Sequence, residues 1–166
     1  TFALEGINKC QTGEKSGKSV SKTLLLAFHA QKAMTDLSRP MVTRNDQTSV
    51  EAGQARQKWI ARNKYYYDSL TRFLQYNIPA GKSVLEVGCG TGYLLNTLQT
   101  SRGVGIDIRA DFIDFGRATY PALTFYQQDA SQPIAGGETF DYIVLSDTIG
   151  YLSDVQQVLT QLHTAC

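Results

Sequence analysis

Histidine, cysteine and long apolar runs are all scarce in this chain, and each scarcity removes a class of function. The two histidines, His29 and His163, stand alone and read as surface or helix-end residues rather than catalysts. The three cysteines, Cys10, Cys89 and Cys166, are odd in number and far apart. They give neither a disulfide framework nor a metal-ligand spacing, so no metal is expected and the thiols read as reduced, in a cytoplasmic protein. The longest apolar run near the start, Leu24 to Phe28, is far short of the roughly 20 residues of a membrane helix. Mostly polar or small residues precede it, which makes it a poor signal-peptide core. Net charge is also small, at +1, but it hides an asymmetry. Residues 1–82 carry thirteen Lys/Arg against six acids, whereas from Ser83 onward three Arg face nine acids. The scattered basic charges of the first half read as a solvated surface, and the acidic second half suits a cationic ligand.

What is present is organised around Val84 to Leu95, VLEVGCGTGYLL: a short apolar strand, a glycine-rich turn and the start of a helix. Gly88, Gly90 and Gly92 occupy the handover, where absence of a Cβ lets a ligand approach the backbone. A dinucleotide loop has the spacing G-x-G-x-x-G. Its third glycine would fall at position 93, which is Tyr93. Glu86, two residues before the first glycine, would repel a pyrophosphate and attract a cation. A second glycine-rich stretch ends in Gly17, Lys18 and Ser19, but a phosphate-binding loop needs a glycine at position 12, which is Thr12.

The 166 residues, 42% hydrophobic and 19% charged, suit about one globular domain. Residues 1–50 read as an N-terminal extension, either disordered or with one short helix from Leu24 to Leu37, stopped before Pro40. From Glu51 to Asn77 the pattern is helical, with Trp59, Asn63, Tyr66, Leu70 and Phe73 on one stripe and Ile60, Tyr67 and Leu74 beside it. Tyr65, Tyr66 and Tyr67 are expected to cover the sheet with their hydroxyls at the surface. Downstream, the spacing predicts strands at Gly103–Ile108, Leu123–Tyr126 and Phe140–Leu145. Helices are predicted at Ala110–Thr119 and, capped by Ser153, from Asp154 to about His163. Asp107 ends the second strand about twenty residues beyond the glycine loop, where an acid can accept ribose hydroxyls or cap the next helix. Ser146, Asp147 and Thr148 follow the fourth strand, at the carboxyl edge where open α/β sheets bind ligands.

With Glu86 and its three glycines, Asp107, Asp129 and the FDYIVL strand in this order, residues 56–163 resemble the class I S-adenosylmethionine-dependent methyltransferases. The resemblance implies a Rossmann-like α/β fold, a parallel sheet with flanking helices over residues 51–166, incomplete at the C-terminus. Its fourth strand would be an unpaired edge through which chains could associate. It implies S-adenosylmethionine as cofactor, bound by Glu86, Gly88, Cys89, Gly90 and Gly92 at the methionine end, Asp107 and Ile108 at the ribose, Asp129 and Ala130 at the adenine, and Ser146 at the border. One of the three tyrosines would face the substrate, and Asp141 would be structural. Asp147 is the candidate base for an unidentified acceptor, a small molecule being favoured over a macromolecule. Two alternatives stay open: a fragment that binds S-adenosylmethionine without turnover, and an NAD-dependent oxidoreductase.

Overall fold

The computed structural model describes residues 7–10, 22–27, 46–133 and 138–165. Six strands form one sheet: β1 (Ile7–Cys10), β2 (Lys22–Ala27), β3 (Ser83–Val87), β4 (Arg102–Asp107), β5 (Thr124–Gln127) and β6 (Tyr142–Ser146), in the spatial order β1-β2-β6-β3-β4-β5. The strands β2, β6, β3, β4 and β5 run parallel, and β1 pairs antiparallel with β2. The helices are α1 (Asp46–Arg62), α2 (Lys64–Asn77), α3 (Tyr93–Asn96), α4 (Ala110–Thr119) and α5 (Val155–Thr164). This is the Rossmann-like α/β architecture expected, and the strands predicted after the glycine loop fall within one or two residues of their observed bounds.

The N-terminal expectations need correction. Leu24–Ala27 is strand, not helix; a short continuous apolar run has no periodicity by which to tell the two apart. Residues 28–37, and the Gly17-Lys18-Ser19 stretch, lie outside the described residues. Nor is β6 an unpaired edge, because β2 lies beside it in register from Thr23↔Tyr142 to Ala27↔Ser146. The association surface expected there is therefore occupied by the chain's own second strand. A chain starting at Asp46 should expose the backbone of β6, and apolar strand edges recruit other chains. We expect it to elute as oligomers or aggregate in size-exclusion chromatography while the full chain does not; identical elution would show that β2 does not shield the edge.

Alternation along the strands divides the interior into two layers. Leu85 and Val87 of β3, Val104 and Ile106 of β4, and Ile143 and Leu145 of β6 pack with Val158 and Leu162 of α5. Val84 and Val144 face the other way, toward Ile60 of α1, Tyr67, Leu70 and Leu74 of α2, and Leu94 and Leu95 of α3. Glu86 shares the parity of Val84, so it too points under α1–α3. The corresponding positions of β4 are Gly103 and Gly105, where a Cβ would meet Leu123 at 2.6 Å and Cys89 Sγ at 2.7 Å. The glycine loop therefore settles directly onto β4.

The long helical segment is two helices. Asn63 turns its side-chain amide back onto the Trp59 carbonyl at 2.8 Å and interrupts the run. The stripe Ile60, Tyr67 and Leu74 is the buried one, while Trp59, Tyr66 and Phe73 are only partly buried. The cap of α5 is Asp154 rather than Ser153, its carboxylate accepting the Gln157 N–H at 2.8 Å. Asp141 has the structural role expected, accepting the Ser83 N–H at 2.9 Å and its hydroxyl at 2.8 Å, which pins the start of β3 to β6.

Candidate functional site

The β3–α3 loop is a closed hydrogen-bonded unit. The N–H groups of Gly88 and Cys89 both donate to the Ile106 carbonyl, at 2.8 and 3.0 Å, and that of Gly92 donates to Cys89 at 2.9 Å. The Gly90 N–H donates to Asp107 Oδ2 at 2.8 Å. A pyrophosphate cradle requires such amides to point at the ligand. Here all four are turned onto the protein, which counts against a dinucleotide.

The three glycines do not serve one purpose. All have positive φ, but a Cβ at Gly88 would lie 2.2 Å from Thr148 Oγ1, and one at Gly92 would lie 2.4 Å from the Phe125 ring. Those two positions are filled by packing. At Gly90 the nearest atom is Phe112 Cδ2 at 3.9 Å, so this is where a ligand can reach the loop backbone. Cys89 also departs from expectation: its side chain is a buried free thiol beneath the loop, pushed upward in pKa by burial. With its N–H committed to Ile106, it presents no donor to a ligand.

Glu86 is 3% exposed and its carboxyl accepts the Leu95 N–H at 3.2 Å. Burial, reinforced by the charge of Asp107 and opposed by the Leu95 hydrogen bond and Arg56, raises its pKa from 4.5 to about 8. Burial therefore favours the protonated form of Glu86 near neutral pH, rather than the fixed anion that sequence reasoning assumed.

Above it lies a small cavity, about 30 Å³, bounded by Glu86, Gly88 and Thr91 from the loop, Arg56 and Tyr67 from the helices, and Ser146 and Asp147 from the end of β6. Arg56 donates to the Tyr67 hydroxyl at 2.9 Å and lies 4.7 Å from the Trp59 ring centroid. Neither partner cancels its charge. Gln57, one residue on, reaches Thr91 Oγ1 at 3.3 Å and fastens α1 to the loop.

Asp147 sits at the cavity wall with φ of 54°, the one non-glycine residue with positive φ among those described. Its Oδ2 accepts the Tyr66 hydroxyl at 2.7 Å. Its Oδ1 is buried without a hydrogen-bond partner among the described residues. The three adjacent tyrosines thus have three fates. Tyr65 is 72% exposed, whereas Tyr66 and Tyr67, expected to keep their hydroxyls at the surface, turn them inward to Asp147 and Arg56.

Farther along the carboxyl edge the site becomes an open shelf. Asp107 accepts the Gly90 N–H through Oδ2 and the Arg109 N–H through Oδ1 at 2.9 Å, tying the glycine loop to the residue before α4; the N-cap of α4 is Arg109, with no side-chain cap hydrogen bond. Ile108 beside it is 66% exposed, an apolar surface without cover. Asp129 is exposed and accepts the Ser131 N–H at 2.8 Å, which holds its carboxyl below the usual range. Ala130 is partly buried against the α5 layer. Asp129 and Ala130 do not join the cavity that unites Glu86, Gly88, Cys89, Ser146 and Asp147.

Sequence reasoning missed Arg56, Thr91 and the packing role of Thr148. For Arg56 a signal existed: it precedes Ile60 by four residues and Tyr67 by eleven, which puts a cation on the buried stripe. For Thr148 there was none, because its partner Gly88 is sixty residues away in sequence.

A family model described as a methyltransferase domain matches residues 54–166. The TehB-like SAM-dependent methyltransferase from Corynebacterium glutamicum is 25% identical with a TM-score of 0.59, over 73% of this chain and 68% of that one. The N-methyltransferase NodS from Bradyrhizobium japonicum, solved with S-adenosyl-L-homocysteine, shares the fold at 23% identity and a TM-score of 0.51, over 61% of this chain and 53% of that one. A Geobacillus sp. (strain WCH70) protein carrying a provisional methyltransferase name is 28% identical over 116 residues. That match takes in 61% of this chain and 47% of the relative, so the chain spans about half the length of that curated protein. With the family model covering more than half its residues, the chain belongs to the methyltransferase-domain family.

Proposed function

We propose that residues 51–166 bind S-adenosylmethionine and direct its methyl group to a small-molecule acceptor. The observation that carries this reading is the Glu86 carboxyl and the Arg56 guanidinium in one cavity, beneath a loop whose amides are already bonded, a pairing suited to the ammonium and carboxylate of an amino acid rather than to a pyrophosphate. The residues fit the cofactor part by part. Arg56, which forms no ion pair among the described residues, is placed to take the amino-acid carboxylate, and Glu86 the ammonium. Gly90 is the point of close approach, Asp107 takes the ribose, and exposed Ile108 offers the adenine an apolar face, with Asp129 and Ala130 at its rim. When bound, S-adenosylmethionine supplies a sulfonium methyl that needs little activation. The protein's contribution is then to orient the acceptor and exclude water. A cavity of 30 Å³ holds about one water, so binding requires the roof of Arg56, Tyr67 and the Gln57 latch to lift.

No helix among the described residues is long and apolar enough to cross a membrane. The buried free thiol of Cys89 supports a cytoplasmic setting.

Titration calorimetry tests this reading. We expect S-adenosylmethionine to bind and NAD to give no heat, and the reverse would defeat it. Asp107→Ala should weaken cofactor binding about a hundredfold, since it removes a charge-assisted acceptor for the ribose and the anchor of Gly90. Unchanged affinity would strike Asp107 from the site. Formation of S-adenosylhomocysteine by this chain alone separates methyl transfer from binding without turnover.

A further inference from the structure

We propose that Asp147 is the acceptor subsite and that the acceptor it takes is a small amine, with Tyr66 as a positioning residue. The inference rests on the cofactor reading above and adds to it the class of substrate.

Asp147 is held in an unusual posture. Its left-handed backbone costs a non-glycine residue on the order of 1 kcal/mol or more. The turn is fixed by Thr148, whose hydroxyl engages the carbonyls of Val87 and Ser146 at 2.9 and 3.0 Å. The consequence is a carboxyl at the cavity wall, at the end of β6, with one oxygen held by Tyr66 and the other enclosed but without a donor among the described residues. Tyr66 occupies Oδ2 as donor, and its phenol stays protonated because burial, then the nearby Asp147 charge, hold its pKa well above the usual tyrosine range. Oδ1 is buried with no partner among the described residues. Such an oxygen normally has a donor, and a carboxylate accepts only, so the ligand group that completes it must carry N–H or O–H.

Charge and chemistry decide between nitrogen and oxygen. The groups bounding the cavity include two carboxyls and one cation, Arg56, already allotted to the cofactor's carboxylate. As the amine lone pair forms the new N–C bond, the C–S bond breaks with its electron pair left on sulfur. Positive charge passes from sulfur to nitrogen, next to Asp147 Oδ1, and the surplus proton of the product ammonium then leaves to solvent. A carboxylate beside that nitrogen stabilises charge as it develops. An alcohol would need to lose its proton during attack, and the acceptor placed for it is the Asp147 carboxylate, a weak base toward an alcohol, whereas an amine attacks through its lone pair with no such transfer. The Tyr67 and Tyr93 rings in the same cavity add faces suited to a cation.

The test uses the full chain loaded with S-adenosylhomocysteine and two probes of equal shape, benzylamine and benzyl alcohol, titrated calorimetrically. We expect the amine to bind about thirtyfold more tightly. Asp147→Asn should abolish that preference while S-adenosylhomocysteine affinity stays within about threefold, and Tyr66→Phe should reduce the preference about fivefold. A loosened fold would weaken both probes alike and leave their ratio unchanged. Equal affinities in the wild type, including failure of both probes to bind, would overturn the inference. So would a tenfold or larger loss of S-adenosylhomocysteine affinity in Asp147→Asn, which would move Asp147 into the cofactor subsite. If the wild type does not bind S-adenosylhomocysteine at all, the cofactor reading fails first and this inference falls with it.

Discussion

Glu86→Gln should make the protein more stable and a poorer binder of its cofactor, both to an extent that depends on pH. In the folded state the Glu86 pKa stands near 8, against 4.5 in the unfolded chain, with burial as the main cause. Between those values the native state binds the proton that the unfolded state has released, so stability falls as pH rises through this window and levels off above about 8. The loss between pH 5.5 and 8.5 is on the order of 3 kcal/mol for a group buried to this degree. Glutamine mimics the protonated carboxyl, and its side-chain oxygen can still accept the Leu95 N–H. The variant should therefore match the wild type near pH 5 and exceed it by several kcal/mol at pH 8.5 in urea unfolding. Parallel stability curves would show that Glu86 does not titrate as burial dictates. Cofactor binding should respond in the opposite sense. A cation favours the ionised carboxyl, so binding drives off the proton, and the wild type should gain affinity from pH 6 to 8 while the variant should not gain this component. The cofactor's own amine titrates in the same range. The difference between the two proteins, rather than either curve, carries the result, and a constant ratio of affinities would remove Glu86 from the cation site.

That the same residue supports the cofactor reading and behaves otherwise than expected illustrates what a sequence can convey. Position was legible. The apolar runs of β3, β4 and β6 and the acid at each critical turn are local patterns, because parallel strands buried on both faces leave a continuous signature. Environment was not. Whether Glu86 is charged depends on α1 and α3 closing over it, and which tyrosine meets Asp147 depends on where Asn63 breaks the helix. β2 was misread for a related reason. A strand whose partner β6 lies more than a hundred residues downstream is specified by the edge it must cover, and that edge is invisible at Leu24. Arg56 was legible and overlooked, since a lone cation on a buried helical stripe is a local signal like the others.

The glycines give the sharpest test of local pattern against tertiary cause. Gly88→Ala should be among the most destabilising single changes in the site, by about 2–4 kcal/mol. Two costs combine there. The backbone has φ of +71°, which a Cβ disfavours, and the new methyl would lie 2.2 Å from Thr148 Oγ1 and 2.6 Å from Cγ2. Thr148→Ala on its own should also destabilise, because it removes the hydroxyl that ties Val87 to Ser146. In the double variant the two closest atoms are gone, leaving the φ strain, the lost hydroxyl and the milder contact with the residue 148 Cβ at 3.0 Å. The two changes should then cost about 1–2 kcal/mol less together than the sum of their separate effects. Gly90→Ala is the counterpart, with φ of +55° and no atom closer than 3.9 Å. Its methyl adds strain of about 1 kcal/mol without collision, and it projects where the ligand must lie. We expect unfolding measurements to place Gly88→Ala well below Gly90→Ala, and calorimetry to find cofactor affinity lost at Gly90 while the fold survives. Strict additivity of the Gly88 and Thr148 changes would mean that strain alone requires the glycine. Retained affinity in Gly90→Ala would mean that the ligand does not approach the loop where packing leaves it open.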